Sequence, residues 1–228
     1  MTPHPILRWI ARLRRNRCSI LLTTLCVFIV LHPLISGSPL ATTLLNVGLM
    51  VVLLLGVWAL RVRWVALLGV GVLCLLAVIV LVNARLGGPT AWGRPVALIA
   101  CALFIGAVTI ALLRYVLDHH LITTDKVCGA VAAYVLIALT FALLFGLLQH
   151  MQPGSFHVSE HHAPEGTLSW FGMMYFSFTV LTSTGFGEIT PATDPARSLI
   201  VIEQVLGVMY VAFLIARLAN LYGRDSRR

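Results

Sequence analysis

Ten consecutive residues restrict this chain more than any others: Thr182-Ser183-Thr184-Gly185-Phe186-Gly187-Glu188-Ile189-Thr190-Pro191. They are polar and glycine-containing, and they follow an aromatic, apolar run of 14 residues, Leu168 to Leu181. Long apolar segments flank the pair, Val127 to Leu148 before and Ala196 to Leu221 after. A helix needs about 20 apolar residues to cross a bilayer, so the flanks can cross and the 14-residue run cannot. Irregular polar backbone at membrane depth is tolerated only where protein buries it or it lines a watery cavity. The pattern therefore predicts two spanning helices with a short re-entrant helix and a polar loop between them.

Composition agrees. The 228 residues are 59% hydrophobic and 11% charged, against about 25% charged in soluble domains. An all-α integral membrane protein is expected. The net charge of +8 could suit nucleic acid, but the basic residues sort by side of a membrane and do not form a binding face. Cys18, Cys26, Cys74, Cys101 and Cys128 lie in or beside predicted spans without a Cys-x-x-Cys pair. They read as small apolar core residues, not as a disulfide framework or metal site.

The order of segments resembles the pore of the potassium channel family, with outer helix, re-entrant pore helix, selectivity filter and inner helix. That family's filter reads Thr-Val-Gly-Tyr-Gly-Asp, and residues 182–188 resemble a variant of it. The resemblance implies a ring of backbone carbonyls that replaces the hydration shell of K+, the permeant ion. The expected filter is Thr182, Ser183, Thr184, Gly185, Phe186 and Gly187, with Glu188 at the outer mouth. Gly185 and Gly187 can take φ > 0 without steric cost, as carbonyls aimed at one axis require. Ser183 stands at the family's Thr, Thr184 at its Val, Phe186 at its Tyr and Glu188 at its Asp. Tyr175 and Phe176 fall where the pore helix supports the filter, and Thr179 where some members carry a buried Glu.

Read from its start, residues 1–17 form a basic segment with Arg8, Arg12, Arg14, Arg15 and Arg17. Both a surface amphipathic helix and a solvated tail fit it. Residues 18–117 hold four expected spans of unassigned role: Cys18 to Ile35, 39–60, Trp64 to Val82, and Pro95 to Leu117. The first also fits a signal peptide, and a retained span is the reading adopted. Residues 118–126 are a polar linker with a helix cap expected at Thr123 or Thr124; a metal role for His119 and His120 is not expected. Residues 127–223 are the expected pore domain and 224–228 a tail. Thr167 is the expected N-cap of the pore helix, and Asp194-Pro195 opens the inner helix.

Six spans put both ends on one side. Thirteen of the sixteen basic residues fall there, leaving Arg85, Arg94 and Arg197 opposite. The positive-inside rule then places both termini in the cytoplasm, in what the compact layout suggests is a bacterial inner membrane. One motif per chain, with four filters needed around an axis, implies a homotetramer in membrane lipid, with no nucleic-acid partner.

The fourth span carries Arg94 and Arg114 at its ends and nothing charged between. Moving a charge through the membrane field is worth about 2.3 kcal/mol per 100 mV, so a span without such charges is not expected to sense voltage. The five residues after Gly223 leave no regulatory domain expected there. Gly207 matches the family's hinge glycine; a bend and close helix packing both account for it. Gln204, Val208, Val211 and Ile215 share a face expected to line the cavity and gate. Glu203 is an acid inside a span, expected against the pore helix or a neighbouring subunit in a gating or a structural role. His150, His157, His161 and His162 form an outer cluster that fits either a proton or zinc site or a solvated loop.

The reading is a potassium-selective channel with no cofactor and no enzymatic chemistry. A weakly selective cation channel of the same fold is the nearest alternative. A secondary transporter or a non-conducting membrane sensor is the alternative of another class.

Overall fold

A computed structural model of the chain describes residues 17–35, 47–51, 53–54, 65, 68–73, 75–76, 79, 93–118, 123–159 and 168–225. Of these, 84% are helical. The elements are α1 (Arg17–Ile35), α2 (Gly93–Leu117), α3 (Thr124–Met151), β1 (Phe156–Val158), α4 (Trp170–Leu181), β2 (Ile189–Pro191) and α5 (Asp194–Asp225). Among the described residues, four helices are long and apolar enough to cross a membrane: Cys18–Ile35, Gly93–Leu117, Thr124–Met151 and Asp194–Arg217. The expected span at 39–60 lies largely, and that at 64–82 partly, outside the described residues, and the described parts of 47–79 are helical. At 12 residues and about 1.5 Å of rise per residue, α4 cannot cross.

The chain divides into two compact units, Met1–Ile137 and Ala138–Arg228. In the first unit, Asp125 in the opening turn of α3 caps α1 from a distance. Its Oδ1 accepts from the backbone N–H of Cys18 at 2.9 Å and of Ser19 at 3.4 Å. The carboxylate thereby meets the orphan amides and positive dipole end of α1. The Tyr115 hydroxyl donates to Oδ2 at 3.4 Å. Gly129 keeps the contact close: a Cβ there would meet Val116 at 3.0 Å and Cys18 Sγ at 3.1 Å. Thr123 stands just before α3, with its carbonyl accepting from the N–H groups of Lys126 and Val127. His119 and His120 lie outside the described residues.

The second unit holds the rest of α3 with β1, α4, β2 and α5. Phe145, Phe156 and Phe176 form an aromatic knot, with ring centroids 5.3 to 5.5 Å apart. This binds the end of α3, the loop after it and the middle of α4. Strands β1 and β2 pair antiparallel, Phe156 with Pro191, His157 with Thr190 and Val158 with Ile189. The pairing continues at both ends, Ser159 N–H to Glu188 O at 2.9 Å and Ala192 N–H to Ser155 O at 2.8 Å.

Two local expectations shift. The N-cap of α4 is Ser169, whose hydroxyl accepts from Gly172 N–H at 3.0 Å; Thr167 lies outside the described residues. The first backbone bond of α5 runs from Arg197 N–H to Thr193 O. Asp194 points its carboxylate at Arg197 instead, at 3.2 Å.

Candidate functional site

The loop after α4 is held by its amides. Thr182 N–H donates to Phe178 O at 3.0 Å and Ser183 N–H to Val180 O at 2.9 Å. Thr184 and Gly185 both donate to Thr179 O, at 2.9 and 3.3 Å. The last carbonyls of α4, which a helix end leaves without intrahelical partners, are thus satisfied by the loop. In a trans peptide the N–H and C=O point in opposite directions. The carbonyls of Thr182, Ser183 and Thr184 therefore face away from α4, as a row.

Backbone handedness supports the same row. Ser183, Gly185 and Gly187 have φ of 56°, 57° and 84°, at every second position. Ordinary extended chain sends successive carbonyls to alternate sides, and alternating handedness removes that alternation. Two of the three positions are glycine, where the conformation costs nothing extra. Ser183 is the sole non-glycine residue with positive φ among the described residues. It was expected in the filter at the family's Thr position, and a left-handed backbone at a serine carries no sequence signal. All six residues of Thr182–Gly187 are exposed. Their hydroxyls are partly engaged: Thr182 Oγ1 donates to Phe178 O at 2.7 Å and lies 2.8 Å from Thr184 Oγ1.

The expected support residues separate. Tyr175 stacks on Phe186 with centroids 6.3 Å apart and planes within 5°, and its hydroxyl bonds to Glu188. Desolvation and then the Glu188 carboxylate raise this phenol above its ordinary range. Thr179 is buried, and its hydroxyl closes on Phe176 O at 2.8 Å. Phe176, expected beside Tyr175, turns the other way into the aromatic knot. Neighbours on a helix diverge by about 100°, so the two rings cannot face one loop.

On α5, Glu203 is completely buried against α4, where its Oε1 meets the Ser177 hydroxyl. Ser177 Oγ also lies 2.7 Å from Ala138 O of α3. At Gly207 a Cβ would sit 2.2 Å from Leu181 O, so α5 crosses the end of α4 backbone to backbone. That approach accounts for the glycine, and α5 continues through it unbroken to Asp225. Gln204, Val208, Val211 and Ile215 are exposed and share a face of α5 that flanks this contact. His150 and His157 are exposed; His161 and His162 lie outside the described residues. Among the described residues no group of three or more His, Cys, Asp or Glu could hold a metal.

A long helix, a short helix, the carbonyl row and a second long helix occupy one stretch of chain. Residues 130–224 match the family model for ion channels. The matched family is one of ion channels, which suggests passive ion conduction and, with four helices long and apolar enough to cross a membrane among the described residues, an integral membrane protein. Over 120 residues the chain is 27% identical to Protein LctB of Bacillus caldotenax, covering 52% of this chain and 89% of that protein. No solved structure matches.

Proposed function

We propose that the chain is one subunit of a homotetrameric, potassium-selective channel, with Thr182–Gly187 as the filter. The row of carbonyls facing away from α4 supports this reading most directly. In this reading α3 is the outer helix, α4 the pore helix and α5 the inner helix. Four copies would place their carbonyl rows around one axis, where they replace the water of a K+ ion. The exposure of residues 182–187 in the single chain suits an axis shared with other copies. Glu188, bonded to Tyr175, would keep negative charge at the outer mouth. Gln204, Val208, Val211 and Ile215 would line the cavity, and their apolar members could close it by dewetting. The positive-inside count would put both termini in the cytoplasm, in a bacterial inner membrane.

The test is the reversal potential of the protein in liposomes or a planar bilayer, with potassium on one side and sodium on the other. The expected value is near the potassium equilibrium potential and is lost in Gly185→Ala. A value near zero with measurable current would replace this reading with a weakly selective cation pore, and attention would move to Thr184 and Glu188.

A further inference from the structure

The contact between α5 and α4 contains one oxygen too many for the protons ordinarily assigned to it. Ser177 Oγ lies within hydrogen-bond distance of two oxygens, Ala138 O at 2.7 Å and Glu203 Oε1. A backbone carbonyl only accepts, and an ionised carboxylate only accepts. A serine hydroxyl has one proton to give. Two hydrogen bonds among three oxygens need two protons, so with an ionised Glu203 one contact would be two acceptors pressed together.

The surroundings give no relief to a charge. Glu203 and Ser177 are both 0% exposed within the single chain, so neither water nor a second copy reaches them. Glu203 Oε2 is buried with no hydrogen-bond partner. From α4 the group facing the carboxyl is the Ser177 hydroxyl, and the Ala138 carbonyl of α3 lies behind it. Among the described residues no charged side chain acts on it. A bare carboxylate oxygen in such a site carries a large desolvation cost; the carbonyl oxygen of a neutral acid carries a small one.

We propose that Glu203 is carried as the neutral acid and donates through Ser177 to Ala138 O, a proton-held link joining α5, α4 and α3. The second proton resides on Glu203 Oε1, and the Ser177 proton is then free for Ala138 O. Both hydrogen bonds at Ser177 then have a proton, and Oε2 is left as the carbonyl oxygen of a neutral acid. The link also has a fixed register. Glu203 and Gly207 are one turn apart on α5 and touch Ser177 and Leu181, one turn apart on α4. The acid therefore sets how α5 seats on the helix whose Thr179 carbonyl holds the loop amides. Glu203 is a positioning residue, and losing its proton leaves two acceptors competing for one hydrogen. If the channel reading holds, on which this last consequence rests, the link couples the seating of the inner helix to the filter.

The full chain, labelled with carboxyl-13C glutamate and reconstituted in lipid, would be examined by infrared spectroscopy at pH 7. An ordinary glutamate, with a pKa of about 4.3, is ionised there. The expected result is a protonated-acid carbonyl band that moves with the label and is lost in Glu203→Gln. In Ser177→Ala the band should shift to higher frequency as the acid loses its acceptor. Absence of an acid band in the labelled wild type would overturn the proposal, as would a band that survives Glu203→Gln. If Glu203→Gln does not fold, the Ser177→Ala spectrum decides, and an unshifted band would overturn the link. The band requires no current, so a band without potassium flux would leave the link standing and remove the channel reading instead.

Discussion

Helices α3 and α5 are both long and strongly apolar, yet the molecule treats them differently. More than half of the spanning window of α3 is buried within the chain, 56%, against 17% for α5. Helix α3 buries apolar side chains around much of its circumference, including Ala132, Ala133, Leu136, Leu139, Ala142 and Phe145. The buried stripe of α5 is narrow: Ala196, Ile200, Glu203 and Gly207. Overall apolarity cannot distinguish them, because lipid is as apolar as leucine and sets no premium on burying one face. What distinguishes α5 is where it places its small and polar residues. Its remaining surface, from Val201 and Val205 to Phe213 and Ile215, is exposed within one chain, as the proposed tetramer would require.

Substitutions on the two helices and beside them put this contrast to the test. Phe145→Ala, in the aromatic knot and fully buried, should cost about 3–5 kcal/mol, read as a fall in unfolding midpoint in detergent. Gly207→Ala should cost about 1–3 kcal/mol or prevent folding, because its Cβ meets backbone and not a movable side chain. A near-neutral Gly207→Ala would mean that α5 seats differently on α4. Tyr175→Phe keeps the stack on Phe186 and removes the bond to Glu188, a loss of about 1 kcal/mol, read best as a changed reversal potential. Phe213→Ala, on the free face of α5, should leave single-chain unfolding within about 0.5 kcal/mol. The proposed tetramer should nevertheless weaken, as native mass spectrometry would detect. Arg197→Ala breaks an ion pair whose side chains are 62% and 92% exposed, and should change stability by less than about 0.5 kcal/mol.

The sequence carried the order of elements because apolar length and glycine spacing are local properties. Thr123 and the pair Gly185 and Gly187 could be located from turn and cap chemistry alone. Residues whose roles depend on partners far along the chain were less legible. Asp125 meets Cys18 across 107 positions, and nothing near Asp125 announces that. Strands β1 and β2 have three residues each, too short for alternation to register. Ser169 replaced Thr167 as cap because both carry the required hydroxyl and only the helix start decides between them. Phe176 and Tyr175 looked equivalent as aromatic neighbours, and the helical twist assigned them to opposite tasks.

The small sheet has a consequence for chain length. Because β1 binds β2 directly, the exit from α3 and the exit from the carbonyl row are tied to each other independently of residues 160–168. Lengthening a closed segment costs little, about 0.6 kcal/mol for each doubling. An inserted epitope or fluorescent label there should therefore leave residues 182–187 in register, whereas the same insertion between Gly187 and Ile189 should not. The sheet thus makes the 159–169 segment a place where this chain can gain length without retuning residues 182–187.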